Sequence, residues 1–182
     1  EVEAAAQAAL AGDLSVQGLK GLEFHGARVG QQALSTVSRR FQQGRLTLDD
    51  PPVRAVLEEV LRDCMRAVLV GEALLDELRP EIVIFNEKGY AGFGSIYDVA
   101  LQRGADVIQF VSAGIHWRDA LLFKRYTEET RRIHPAGLSA ESWQKVRELP
   151  WAPAHDQALD EEFMLRYGPS EKHPDAGLQA GK

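Results

Sequence analysis

The sequence has almost no cysteine and no long apolar run, and both absences narrow what the protein can be. Cys64 is the single cysteine among 182 residues, so the chain forms neither an intramolecular disulfide nor a cysteine-rich zinc site. No apolar run approaches the roughly 18 residues of a membrane span. We therefore expect a cytoplasmic protein whose one thiol, on the apolar stripe of a predicted helix, is buried and inert.

An excess of positive charge is also missing. The 21 basic residues are outnumbered by 27 acidic ones, which gives a net charge of −6. Sequence-independent binding of nucleic acid and polybasic contact with a membrane both require a basic surface. We therefore expect no nucleic-acid partner. The composition, 45% hydrophobic and 26% charged, is that of an ordinary globular domain with a substantial core.

Several catalytic signatures are absent as well. The sequence contains no HExxH, no nucleophile elbow and no Asp-rich metal loop. Its most glycine-rich loop, NEKGYAGFGS over Asn86–Ser95, has the wrong glycine spacing for the dinucleotide fingerprint and lacks the Gly-Lys-Ser/Thr of a P-loop. We therefore expect neither a metal nor a resident cofactor.

Apolar spacing and capping residues predict a largely helical chain. The predicted helices are Val2–Leu10, Gln31–Gln43, Pro51–Leu78, Ser95–Arg103, Trp117–Arg132, Ser139–Glu148 and Asp156–Tyr167. Asp49 or Asp50 is expected to cap the long third helix, and the glycine-rich residues 18–30 are expected to form a loop. Trp143 and Trp151 are expected in the core or at a hinge.

Two short β-branched runs, Ile82–Phe85 and Val107–Val111, predict buried parallel strands. The helix between them would have Ser95 as its cap and Asp98 in the capping-box position. Strand, helix and strand within about thirty residues form a right-handed βαβ unit, so the predicted fold class is α/β, with a Rossmann-like parallel sheet and flanking helices. Residues 1–154 would form this domain, and residues 155–182 a helix and loop leading out of it.

The first candidate site is the Asn86–Ser95 loop, which follows a strand's carboxyl end, where open α/β sheets bind ligands. Its glycines would let backbone amides, together with the start of the next helix, approach an anion or a sugar. Glu87 is a candidate catalytic base. The expected ligand contacts are Asn86, Lys88, Gly89, Tyr90, Gly94 and Ser95. The alternative is a flexible turn without a ligand.

Two further groups supply candidates. Those after the second strand are His116, Arg118, Asp119, Lys124 and Arg125. His116 could act as a general base, and Arg118 could hold a carboxylate or phosphate. The basic residues could instead form surface ion pairs with Glu128 and Glu129. His25, in a glycine-rich loop, is a further candidate for ligand binding, with a solvated surface loop as its alternative.

Three segments resemble one known family. They are FHGARVGQQALSTVSRR, RPEIVIFNEKGYAGFGSIYDVALQRGADVIQFV and DALLFKRYTEETRRIHPAGLSAESW. From about Gly21 to Trp151 the chain resembles the N-terminal half of bacterial glycosyltransferase-like proteins of capsular and other surface-polysaccharide synthesis. The most specific pieces are Asn86 with its aromatic-glycine loop and the run KRY…RRIHP…W.

The resemblance implies the GT-B architecture of two Rossmann domains. This chain would be the acceptor-side domain, cut from a longer protein and inactive alone, and a C-terminal domain would bind the nucleotide-sugar co-substrate. The base would be His116, Glu87 or His25. A carbohydrate acceptor is the expected partner, and a lipid-linked one would bring the protein to the inner face of the membrane. Two alternatives remain: a nucleotide-sugar epimerase or hydrolase of the same plan, and a non-catalytic binding or assembly module.

Overall fold

A computed structural model describes residues 1–12, 14–112, 121–135 and 137–167 and shows a mixed α/β protein. The helices are α1 (Val2–Ala11), α2 (Val16–Gly21), α3 (Val29–Phe41), α4 (Pro51–Leu78), α5 (Phe93–Gln102), α6 (Ala140–Glu148) and α7 (Pro153–Tyr167). The strands are β1 (Ile82–Phe85), β2 (Asp106–Ser112) and β3 (Leu121–Tyr126).

The chain divides into two compact units. The first comprises residues 1–110 and 123–133, and it contains every residue of the buried apolar core. The second comprises residues 111–122 and 134–182 and includes α6 and α7. In α6 no residue is buried, and Trp143 and Trp151 are 53% and 66% exposed, so the expectation that they lie in the core is wrong.

The three strands form one small mixed sheet in the order β1-β2-β3. β1 and β2 are parallel, with Ile82 opposite Asp106 and Phe85 opposite Gln109, and α5 connects them. The predicted βαβ unit is therefore confirmed, but the expectation that β1 is buried is wrong, because Ile82 and Ile84 are 53% and 60% exposed. β1 ends at Phe85, opposite Gln109, so the loop that starts at Asn86 leaves the sheet at the carboxyl end of β1, where a ligand is expected.

The third strand corrects the sequence prediction. A helix was expected over Trp117–Arg132, but Leu121–Tyr126 is a strand and turns follow it up to Ile133. The apolar run within this strand, Leu121–Phe123, is only three residues long, and periodicity alone does not separate a helix from a strand at that length. Pairing with β2, which local periodicity does not reveal, decides in favour of the strand. Residues 117–120 lie outside the described residues.

The long helix α4 has the predicted bounds and supplies much of the core. Asp50 is its N-cap, in the predicted position although its side chain makes no capping hydrogen bond. Leu57, Leu61 and Cys64 are fully buried. Burial raises the pKa of the Cys64 thiol to about 12, which keeps it protonated and unreactive, as predicted. Arg79, in the left-handed conformation at φ 45°, ends the helix.

The segment expected to be a loop over residues 18–30 is non-helical only over residues 22–28, because its first residues belong to α2 and its last two to α3. Ser15 caps α2 by accepting a hydrogen bond from the Gly18 amide at 3.0 Å. Gly30, in the first turn of α3, lies so close to α2 that a Cβ atom there would be 1.9 Å from the Leu19 carbonyl oxygen. The glycines of this segment therefore allow helices to approach each other, as well as the chain to turn.

Candidate functional site

The Asn86–Ser95 loop leads directly into α5, which begins earlier than predicted. Gly92, at φ 82°, is the N-cap, and the helix starts at Phe93. The expectation that Ser95 caps this helix is therefore wrong. Ser95 is fully buried, and its hydroxyl donates a 2.6 Å hydrogen bond to Oε1 of Gln32. It thus joins the helix to α3 rather than facing a ligand.

Gly94, an expected ligand contact, has a packing role. A Cβ atom at this position would lie 2.8 Å from the Gln32 side chain and 2.8 Å from the Lys88 carbonyl oxygen. Nearby, the Ala91 amide donates a 2.8 Å hydrogen bond to the Thr36 hydroxyl. These contacts hold the loop against α3, so its position is determined by packing.

Asp98 organises the buried side of the loop. Its carboxylate, fully buried, accepts hydrogen bonds from the backbone amide of Arg28 at 2.9 Å and from the Arg28 guanidinium at 2.7 Å. Gln32 donates a third at 3.0 Å. The capping-box role expected for Asp98 is therefore wrong. Sequence reasoning missed this cluster because its members lie up to 70 residues apart and share no local pattern.

Glu87 binds the amides of its own loop. Its Oε1 accepts hydrogen bonds from the backbone amides of Lys88 and Gly89, both at 2.7 Å. Two amides that the sequence assigned to a ligand are thus occupied by this carboxylate. Within the described part of the chain, Oε2 of Glu87 forms no hydrogen bond, so one oxygen is held and the other is available.

Lys88 is half-buried against two tyrosines. Its Nζ donates a 2.6 Å hydrogen bond to the Arg131 carbonyl oxygen and lies 5.2 Å and 4.4 Å from the ring centres of Tyr97 and Tyr126. Desolvation, followed by the nearby charge of Arg28, lowers the pKa of Lys88 to about 8. The group is therefore part neutral and part charged just above neutral pH.

The two tyrosines also anchor the turn after β3. The Tyr97 hydroxyl donates to the Arg131 carbonyl oxygen and the Tyr126 hydroxyl to the Ile133 carbonyl oxygen, each at 3.3 Å. Burial raises the pKa of both, that of Tyr126 to about 12, so both remain neutral donors. Neither tyrosine was a predicted site residue. Their separate positions in the chain gave no signal that they would meet.

Lys124 lies on β3, and not on the helix predicted for it, and comes close to Tyr126. Its Nζ lies 5.8 Å from the ring centre of Tyr126, and partial burial lowers its pKa. Arg125, the next residue along β3, instead pairs with Asp106 at 2.7 Å and has a side chain 70% exposed. The surface ion-pair interpretation therefore fits Arg125, although its partner is neither of the glutamates expected.

His25 is held by two carboxylates. Its Nδ1 lies 2.9 Å from Glu72 and its Nε2 2.6 Å from Glu1. The hydrogen bond with Glu72, and then that with Glu1, raises the pKa of His25 above its usual value. No contact among the described residues joins His25 to Lys88, so these two candidates do not form one cluster.

The other expected contacts lie on the outer part of the loop. Asn86 is exposed, and the Tyr90 ring lies 4.9 Å from the Arg39 guanidinium. His116, Arg118 and Asp119 lie outside the described residues.

A buried glutamine in the middle of β2, opposite the end of β1, was missed. Nε2 of Gln109 donates to the Asn86 carbonyl oxygen at 3.2 Å, while its Oε1 is buried and has no hydrogen-bond partner among the described residues. The available signal was a polar residue inside the apolar strand VIQFV. A buried acceptor without a donor calls for a water molecule or a ligand hydroxyl.

Neither a metal site nor a membrane-spanning helix is found among the described residues, and the chain has no match among known proteins. Among the described residues, no group of three or more His, Cys, Asp or Glu side chains could hold a metal ion. In the same part of the chain, no helix is both long and apolar enough to cross a membrane. The chain matched no protein-family model, no curated protein and no solved structure.

Proposed function

We propose that this protein is the acceptor-binding, Rossmann-like domain of a glycosyltransferase that builds a cell-surface polysaccharide, with the plan of a GT-B N-terminal half. The resemblance from about Gly21 to Trp151 supports the family. The polar loop at the carboxyl end of β1 supports a ligand site there. The observation that carries most weight is Glu87, whose carboxylate is oriented at this edge by two amide hydrogen bonds.

Transfer of a sugar requires a base that removes the proton of the acceptor hydroxyl. Glu87 suits this role because Oε1 is held by the loop amides and Oε2 can accept the proton. His25 suits it less, since hydrogen bonds from both ring nitrogens to carboxylates favour its protonated form. His116, outside the described residues, remains the alternative base.

In this proposal the acceptor carbohydrate lies over the loop and contacts Asn86 and Tyr90, which are exposed and half-buried respectively. A second domain would bind the nucleotide sugar and stabilise the leaving diphosphate. A lipid-linked acceptor would hold the protein at the inner face of the membrane.

The test is transfer by the full-length protein carrying Glu87→Gln. Glutamine keeps an oxygen for the two loop amides but cannot take up a proton, so we expect turnover to fall by about 10²–10⁴-fold. Glu81→Gln is the matched control, because Glu81 is exposed just before β1. Radiolabelled sugar appearing in polysaccharide is the measurement. Turnover by the Glu87 variant equal to that of the control would remove the assignment.

The same assay separates the rival functions. An epimerase or hydrolase changes the nucleotide sugar without any acceptor, whereas a transferase requires one. A non-catalytic binding module would not convert the nucleotide sugar, either alone or together with an acceptor. One observation favours that module: Glu87 and Lys88 both have partners within the chain, as they would in a purely structural turn.

A further inference from the structure

His25 lies at the corner of a tight turn, in a backbone conformation that is unusual for a histidine. Two hydrogen bonds between Phe24 and Ala27, each at 3.0 Å, close the turn, and its central residues are His25 at φ 48° and Gly26 at φ 75°. Glycine adopts a positive φ without strain, whereas other residues do so at a cost. Residues in such conformations cluster at functional and switching sites, so the contacts of the His25 ring are of interest.

Both ring nitrogens of His25 face carboxylates. Nδ1 lies 2.9 Å from Oε2 of Glu72 on α4, and Nε2 lies 2.6 Å from Oε1 of Glu1, the N-cap of α1. An ionised carboxylate only accepts hydrogen bonds, and a neutral imidazole has a single N–H to donate. The two hydrogen bonds therefore exist together only when the ring is protonated. We call the group of Glu1, His25 and Glu72 the His25 bridge.

The charges along the His25 bridge alternate in sign when the ring is protonated. The charged groups that act on His25 are Glu72 and Glu1, and their hydrogen bonds raise its pKa above the usual 6.5. Beyond Glu72, the guanidinium of Arg103 at the end of α5 lies 3.8 Å away and pairs with Asp76 at 2.7 Å. Loss of the proton would leave two carboxylates facing one neutral ring, so one of them would lose its hydrogen bond.

Of the two carboxylates, Glu1 is the easier to release. Its side chain is 59% exposed, against 21% for Glu72, so water can replace the ring nitrogen at Glu1. The rest of α1 has other attachments, because Ala6 is fully buried and Glu3 pairs with Arg62 of α4 at 2.9 Å. Release of Glu1 therefore loosens the start of α1 without detaching the whole helix.

We propose that the His25 bridge is a pH-dependent switch: the protonated ring attaches the start of α1 to α4, and loss of the proton releases it. This inference goes beyond the proposed function, which assigns the catalytic base to Glu87. The sign follows from the raised pKa of His25 in the folded protein. The contribution of the bridge to stability is fully present below pH 6.5 and is lost as the pH rises through the pKa of folded His25.

The experiment consists of two NMR measurements on the whole chain between about pH 5.5 and about pH 8.5, the range in which histidines titrate. The carbon-bound protons of the imidazole ring report the pKa of His25, which we expect above 6.5. Amide hydrogen exchange, corrected for its intrinsic pH dependence, reports the protection of α1 from Ala5 onwards. We expect this protection to fall by about two- to fivefold as the ring loses its proton, the worth of an exposed ion pair.

Three variants locate the switch. Glu72→Gln and Glu1→Gln each remove one carboxylate, and the pKa of His25 should fall towards 6.5 in both. The fall should be larger in Glu72→Gln, because the hydrogen bond with Glu72 is the largest cause of the raised pKa. Asparagine tolerates a positive φ and does not titrate, so His25→Asn should keep the turn and abolish the pH dependence of α1 protection.

Glu3→Gln is the matched control, because it removes contacts of α1 with Arg62 and Arg66 of α4 that do not involve a histidine. It should lower α1 protection by a similar factor throughout the pH range and leave the pKa of His25 unchanged. A pKa of His25 at or below 6.5 in the parent, or one that neither glutamine variant lowers, would overturn the bridge. Protection of α1 that is independent of pH in the parent, or that changes equally in His25→Asn, would overturn the switch.

Discussion

Two charged clusters next to the same loop differ in how completely their charges are paired. Asp98, fully buried, accepts hydrogen bonds from the amide and guanidinium of Arg28 and from Gln32. Lys88, half-buried, donates one hydrogen bond to a carbonyl oxygen and has no carboxylate partner in the described part of the chain. One cluster is saturated and the other has donors left over.

This difference in pairing distinguishes a charge that holds the fold together from a charge that can bind water or a ligand. A charge without access to water requires partners within the protein, so Asp98 joins α5 to the start of α3. A half-exposed ammonium can be solvated instead, and water on it can be exchanged for a ligand. Full pairing therefore indicates a structural role, and incomplete pairing leaves donors for water or a ligand.

The largest effect is expected from Asp98→Ala. This change leaves the mostly buried Arg28 guanidinium, 13% exposed, without its carboxylate. We expect the free energy of unfolding to fall by about 3–5 kcal/mol, because an unpaired buried charge is costly. Urea denaturation followed by circular dichroism measures it.

The control is Asp63→Ala, which removes an exposed ion pair with Arg66 on α4. That change should cost less than about 1 kcal/mol. Equal losses in the two variants would contradict a structural role for Asp98 and, with it, the contrast between the clusters.

A smaller loss is expected from Gly94→Ala, which tests whether packing positions the loop that carries Lys88. The new Cβ would lie 2.8 Å from the Lys88 carbonyl oxygen, and backbone must move to relieve the contact. We expect a loss of about 1–3 kcal/mol, typical of overpacking. Gly44→Ala is the control, since no atom lies within 4 Å of its added Cβ. Thermal unfolding should show a clear shift for the first variant alone.

The smallest effect concerns the pH dependence of stability through Lys88. Its pKa is about 8 in the folded protein, against 10.5 when unperturbed. Between these values the unfolded chain binds more protons, so the contribution of Lys88 to stability rises with pH. Because the side chain is partly exposed, solvent screening reduces the size of this pH-dependent contribution.

The measurement is the free energy of unfolding of the parent minus that of Lys88→Met across this pH range. We expect the difference to increase towards high pH. A flat difference would show that the ammonium is not desolvated and would weaken the contrast with Asp98.

The sequence predicted well where the signal is local. The apolar rhythm from Pro51 to Leu78 and the β-branched run Ile82–Phe85 gave the right elements, and Ser139 does cap α6. It failed where pairing with another element, which local periodicity does not show, decides the structure. Leu121–Tyr126 became a strand because β2 pairs with it.

For the candidate site, too, the sequence identified the residues but not their roles. Polar residues after β1 were identified because their types and their place after a strand are visible in the sequence. Their roles were not, since Ser95 and Gly94 pack against α3, while Glu87 binds its own loop. Gln109 was missed because a single polar residue in an apolar strand does not reveal its surroundings.

By itself the sequence determined the α/β class, the βαβ unit and the loop at its carboxyl edge, because apolar spacing and caps act over a few residues. Only the tertiary structure decided that Arg28 meets Asp98, 70 residues away, and that Lys88 lies beside both Tyr97 and Tyr126. Those contacts form when helices and strands pack, and packing depends on the shapes of whole elements. The packing of helices and strands therefore sets which charges are paired, and so which role each charge has.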